Sequence, residues 1–193
     1  MLKQTLYAVA LLLSACTQAE AKNDILKECK MHVDFETSEQ VKQWRAVNDG
    51  VMGGKSSGGP RFEEGQMVFE GVINTNGGGF SSVRRPVTQG VLAESDGLKL
   101  RIKSDGRGYK VTMRTNIAYR GRLVSFQAPI PETQAHEWEE VEVSFETLSA
   151  SIFGRPVRGA EFDPSEVSEL GLILADGRDG PFRLNVKWIK NCA

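Results

Sequence analysis

Apolar residues fall on every second position over two neighbouring stretches: Leu98, Leu100 and Ile102 alternate with Lys99, Arg101 and Lys103, and Tyr109, Val111 and Met113 alternate with Lys110, Thr112 and Arg114. A period of two marks strands with one buried face. The segment Ser104-Asp105-Gly106-Arg107-Gly108 between them predicts a turn, and so a hairpin carrying one basic face, either simply solvated or attracting an acidic partner. The same alternation predicts a first strand through Met31, Val33 and Phe35. A hairpin is expected around Gly65 from Phe62, Met67 and Phe69, its second strand continuing through Val72 and Ile73. Further strands are predicted at 80–84, 123–128, 140–145, 172–175 and 182–189, where Phe182, Leu184, Val186 and Trp188 keep step. Helical signals are few. Thr37 or Ser38 can cap one or two turns over 37–44, and Pro164 can head a short helix over 164–170. Nine or ten strands with one or two short helices predict an all-β, antiparallel sandwich, with Trp44, Trp138 and Trp188 in core-like positions.

Two glycine-rich strings interrupt this pattern within residues 44–82: Asn48-Asp49-Gly50-Val51-Met52-Gly53-Gly54 and Asn76-Gly77-Gly78-Gly79-Phe80-Ser81-Ser82. Clustered glycine beside Asn, Asp and Ser implies positive φ angles or a backbone approached closely by something else. The strings are either two surface turns or parts of a built surface. Together with the 105–109 turn they are expected to lie side by side at one end or edge of the sandwich.

The chain has 193 residues, 40% of them hydrophobic, enough for one domain, placed at 29–193. Before it, Lys3 and the apolar run 6–13 have the form of a secretion signal too short to span a bilayer. Leu13-Ser14-Ala15-Cys16 is similar to a bacterial lipobox, which makes residues 1–15 the signal peptide, Cys16 the lipidated residue and 16–28 a tether. Ala19-Glu20-Ala21 offers ordinary signal-peptidase cleavage instead. The expected location is the bacterial cell envelope, lipid-anchored in the outer membrane and facing the periplasm, or soluble in the periplasm or secreted. Cys29 and Cys192 flank the domain, and in an oxidising compartment they are expected to form a disulfide joining its ends. A formal net charge of −1 argues against a nucleic-acid partner.

No nucleophile with its base, phosphate loop or paired-histidine motif is present, which points to a binding or assembly module, not an enzyme. His32 and His136 stand apart from any second imidazole at ligand spacing. Glu161, Asp163, Asp176 and Asp179 could supply oxygens to a structural calcium, a weak signal without loop spacing of the EF-hand kind, and no other cofactor is expected. Asp49 and Arg107 either pair to lock two loops or belong to a polar site for a hydroxyl-rich ligand or partner backbone. That site would comprise Asp49, Met52, Asn76, Ser82 and Arg107, with Phe80 or Tyr109 as a platform.

Asp49-Gly50-Val51-Met52-Gly53-Gly54-Lys55-Ser56, Phe69-Glu70-Gly71, Gly78-Gly79-Phe80-Ser81-Ser82-Val83-Arg84 and Asp105-Gly106-Arg107-Gly108-Tyr109, with Trp44 before them and Trp138 after, together resemble the complex I intermediate-associated protein 30 family. The resemblance covers 31–189. It implies a galactose-binding-like jelly roll and a role in assembling or stabilising a protein partner, the family's eukaryotic members being mitochondrial assembly factors for respiratory complex I. A carbohydrate-binding jelly-roll module is the alternative. The secretion signal departs from the matrix-side role.

Overall fold

The computed structural model describes residues 28–152 and 154–193. The signal segment, Cys16 and the tether up to residue 27 lie outside the described residues. The chain runs through β1 (Cys29–Asp34), α1 (Ser38–Lys42), β2 (Arg45–Asn48), β3 (Ser57–Glu63), β4 (Gln66–Ile73), β5 (Ser81–Pro86), β6 (Gly97–Ser104) and β7 (Tyr109–Tyr119). It continues with β8 (Arg122–Pro129), β9 (Trp138–Ser144), β10 (Ser149–Ile152), β11 (Arg155–Pro156), β12 (Val167–Leu174) and β13 (Gly180–Cys192). Single 3₁₀ turns occupy Asp49–Met52, Phe145–Thr147 and Pro164–Glu166.

The strands form two antiparallel sheets. One has the order β3-β4-β13-β6-β9, with β1 also on β13; the other runs β11-β10-β8-β7-β12-β5-β2. β13 is long enough to hold β4 on its first half and β1 on its second half along one edge, while β6 takes the other edge. Inward-facing side chains fill the space between the sheets: Leu98, Leu100 and Ile102 from β6, Val111 and Met113 from β7, Leu170 and Leu172 from β12, Leu184 and Val186 from β13. Burial of each contributes about 1.5–3 kcal/mol before entropy is charged against it. The fold is the expected antiparallel β-sandwich.

Three local expectations need correction. β6 and β7 do not form a hairpin, because the turn at 105–108, with Gly106 at φ +82°, carries the chain from one sheet to the other. The expected single basic face is thereby split. On the first sheet, Lys99 lies 3.3 Å from Glu140 and 3.5 Å from Glu142, Arg101 pairs with Glu140 at 3.3 Å, and Lys103 sits over the Trp138 ring. Lys110 and Arg114 face outward from the second sheet, among other partners. Residues 164–170 are not a helix, since the 3₁₀ turn ends at Glu166 and β12 starts at Val167. Of the tryptophans only Trp44 is buried, packed against Phe35. Trp138 and Trp188 lie at the surface, each under a lysine.

The Cys29–Cys192 disulfide is present, between directly opposed residues of β1 and β13. At the other end of the sandwich the chain turns at 49–56, 74–80, 105–108 and 175–179, because β2, β4, β6 and β12 all finish there.

Candidate functional site

The two glycine strings meet around one carboxylate. Asp49 is fully buried and accepts hydrogen bonds from the Ser56 N–H at 2.9 Å, the Ser56 hydroxyl at 2.5 Å, the Gly79 N–H at 2.6 Å and the Phe80 N–H at 3.3 Å. A side chain at Gly54 or Gly78 would fall on that carboxylate, so glycine is demanded at both positions by close approach. Burial opposes ionisation of Asp49, but the hydroxyl and amide donors outweigh it and hold its carboxyl below the usual range.

The 74–80 loop also leans on the next loop, where the Thr75 N–H donates to Asp179 at 2.6 Å. There Arg107 forms a fork on Asp176, at 3.0 and 2.7 Å, and donates to the carbonyls of Gly180, Pro181 and Arg178. Burial opposes ionisation of Asp176 as well, yet Arg107 and Arg178 hold it down to about 2. The three glycine-containing strings therefore stand along one end of the sandwich, joined through Asp49, Asp179 and Asp176. Asp49 and Arg107, however, are not paired with each other. Each is engaged in a local lock, so the expected Asp49–Arg107 pair does not form.

The remaining candidate residues divide cleanly. Ser82 is buried, its hydroxyl donating to the Val47 carbonyl and accepting from Arg84. Tyr109 is buried among Phe69 and Phe182, its hydroxyl donating to Asp105; burial, then the Asp105 carboxylate, pushes its ionisation up. It also lines a hollow of about 400 Å³ with Arg107, Ile130 and Pro131. Asn76 is exposed, its backbone N–H tied to Asn74. Among the acids considered for calcium, Asp163 caps the Pro164–Glu166 turn while Asp176 and Asp179 serve the locks above. Among the described residues no acidic, His or Cys side chains gather as a metal-ligand set.

Met52 and Phe80 lead to a different surface. With Val51 they line a groove of about 310 Å³ on the outward face of the second sheet, whose floor includes Arg84, Lys110, Arg114, Ser125, Gln127 and Ile173. Val51 is 76% exposed and Met52 56%. Both sit on the 3₁₀ turn that Asp49 begins, and they also line an adjoining hollow with Ile152, Pro156 and Val157. The groove floor is set by strand alternation: Val111 and Met113 point into the core, leaving Lys110, Thr112 and Arg114 outward, opposite Ile173, Gly171 and Glu169 of β12. Arg45, Arg84 and Arg114 converge on Glu169, the last two at 3.3 and 3.7 Å. Val51, Ser125 and Gln127, which line the groove, lay outside the candidates drawn from sequence. The legible hint was an apolar Val-Met pair inside a glycine string, where no strand or helix period calls for it.

The sequence matches the family model of complex I intermediate-associated protein 30 over residues 33–186. Two curated relatives, each named "Probable complex I intermediate-associated protein 30, mitochondrial", come from Caenorhabditis briggsae and Caenorhabditis elegans. Each is 22% identical over 182 residues, an alignment covering 84% of this chain and 54% of the relative. The chain thus spans about half the length of the curated relatives it matches. Because both are described as mitochondrial, the expected bacterial envelope location, lipid-anchored or soluble, is overturned. In fold the chain is similar to the family 11 carbohydrate-binding module of a Clostridium thermocellum cellulase, with TM-score 0.65 and 18% identity over 86% of this chain and 94% of the module. A second structure of that family, in complex with a β-1,3-1,4-mixed-linked tetrasaccharide, gives TM-score 0.61 and 19% identity over 84% of this chain and 94% of the module.

Proposed function

Since the chain belongs to the complex I intermediate-associated protein 30 family, we propose that it is a non-catalytic binding module that holds a protein partner during assembly, with the groove of the second sheet as its contact surface. The observation that carries this reading is the exposure of Val51 and Met52, at 76% and 56%, on a turn fixed from beneath by Asp49. Apolar side chains held out on a pre-ordered turn are suited to entering a partner's pocket, and methionine adapts to irregular contacts. Among the described residues the ionisable groups lining the groove are Arg84, Lys110 and Arg114, a set suited to recognition. Replacing both Val51 and Met52 by Asp tests the reading, because the variant keeps the Asp49 lock. It is expected to melt like the parent and to lose capture of protein subunits from a homologous cell extract. Undiminished capture by the folded variant would count against it.

A second reading is favoured by the polar floor, where Ser125, Gln127 and Ser151 line the groove. Together with the jelly-roll likeness to a module bound to a tetrasaccharide, this supports carbohydrate as the alternative ligand. Titration with soluble mixed-linked glucan oligosaccharides separates the two, heat of binding unaffected by the Val51 and Met52 changes favouring carbohydrate.

A further inference from the structure

We infer that the groove receives an acidic polypeptide segment, a carboxylate side chain of which seats between Lys110 and Arg114 over Thr112. The inference rests on the groove being the binding surface, and it names the chemistry of the occupant.

Charge is the first observation. Three guanidinium groups, from Arg45, Arg84 and Arg114, share the single carboxylate of Glu169. Lys110 adds a further cation to the groove, and among the described residues no carboxylate pairs with it. On the first sheet Lys99 and Arg101 are matched by Glu140 and Glu142 across the strand pair, while Lys103 and Lys190 stand over tryptophan rings. A net excess of positive charge is therefore left on the hollow outward face of the second sheet, and a hollow focuses such a field.

The second observation is an orphan hydroxyl. Thr112 lies on β7 between Lys110 and Arg114, on the same outward face, and is only 2% exposed, yet its Oγ1 has no hydrogen-bond partner. It stands opposite Gly171, which has no side chain to answer it, and opposite Gln127 on β8. A buried hydroxyl without a partner is costly, and because Thr112 lies beneath the groove lining, a carboxylate accepts its proton once the neighbouring side chains move aside.

Geometry favours a polypeptide over other polyanions. Lys110, Thr112 and Arg114 repeat at the two-residue spacing of a strand, about 6.8 Å, which is also the repeat of alternate side chains in an extended peptide lying along β7. Val51 and Met52 on the rim offer apolar contact to the residues between the acids. Among the described residues Phe80 is the one aromatic side chain that lines the groove, a small platform for a row of neutral sugars.

The test is calorimetric titration of the whole chain with three probes: a short all-glutamate peptide, an oligogalacturonate and a neutral mixed-linked glucan tetrasaccharide. The glutamate peptide is expected to bind. Its affinity should fall by about tenfold or more with Lys110→Glu, by a smaller factor with Lys110→Ala, and steeply as salt rises from about 0.05 to about 0.5 M. Lys110 makes no ion pair among the described residues, so both variants should keep the parent melting temperature. Oligogalacturonate binding more tightly than the peptide would overturn the polypeptide assignment. Tetrasaccharide binding that ignores both Lys110 variants, or no binding by the peptide, would overturn the acidic one. Amide chemical-shift mapping distinguishes these failures from failure of the binding surface itself: a bound probe that shifts β7 and β8 resonances preserves the groove, whereas shifts confined to other strands remove it.

Discussion

Asp49 accepts a 2.6 Å hydrogen bond from the backbone N–H of Gly79, thirty residues further along the chain. With the bonds from Ser56 and Phe80 it makes one carboxylate the joint between two loops that the strands alone leave unconnected. Replacing Asp49 by Ala strands buried amide donors, each costing about 1–3 kcal/mol when left without an acceptor. The variant is expected to lose about 3 kcal/mol or more of unfolding free energy in urea titration. A loss below about 1 kcal/mol would show that water replaces the carboxylate without difficulty.

The same joint dictates where glycine is needed. A methyl group at Gly78 or Gly54 would collide with the Asp49 side chain, whereas at Gly50 it meets nothing within 4 Å. Gly78→Ala and Gly54→Ala should each lower the melting temperature by several degrees, while Gly50→Ala should leave it nearly unchanged. Equal melting of all three variants would refute the close-approach account.

How much of this was legible in the sequence depended on the range of the interaction. Strand alternation found Leu98, Leu100, Ile102, Val111 and Met113 as core, because a period of two is written locally. It could not tell that the 105–108 turn crosses between sheets, since a glycine turn serves a hairpin and a crossing equally well, so the basic residues of β6 and β7 looked like one face. Asp49 and Arg107 stood out as opposite charges in loops of one end, but their partners, Gly79 and Asp176, are named only by tertiary contact. The groove was invisible for the same reason. Its floor takes residues from β5, β7, β8, β10 and β12, and nothing along the chain announces that Lys110 and Gln127 share a surface.

Arg107 reads as a structural clamp. Its guanidinium reaches both Asp176 oxygens and three backbone carbonyls at once. A lysine keeps the charge but cannot present the planar fork, so Arg107→Lys is expected to destabilise the fold by about 1–3 kcal/mol without altering ligand binding in the groove. Thermal unfolding beside a binding titration checks both halves, and a stable variant would show the fork to be dispensable.

The disulfide fixes β1 against the far half of β13. It closes a sequence separation of 163 residues, for which the chain-entropy model gives about 5 kcal/mol of stabilisation through the unfolded state. The Cys29→Ser and Cys192→Ser double variant should therefore unfold at markedly lower denaturant concentration, with β1 amides exchanging first. Unchanged stability after reduction would mean that strand pairing alone holds β1.

Acid should weaken the protein in two separate windows, because His32 and, at lower pH, carboxyls such as Asp176 and Asp49 bind protons less readily folded than unfolded. His32 is held neutral, with burial first and the Arg85 charge second lowering its pKa from 6.5 to about 4. Between those values the unfolded chain takes up a proton that the folded one refuses, so stability falls as pH drops from about 6.5 to about 4. Asp176 acts below that. Its folded pKa of about 2 lies under the ordinary aspartate value, so the stability it provides is complete above about pH 4 and lost as pH falls toward 2. With its side chain only 10% exposed against Arg107, that lower loss is on the order of 2 kcal/mol. Melting temperatures measured across this range should show both declines, and His32→Gln, which cannot titrate, should flatten the upper one while leaving the lower intact. A His32→Gln profile that still falls between pH 6.5 and 4 would assign that window to other groups.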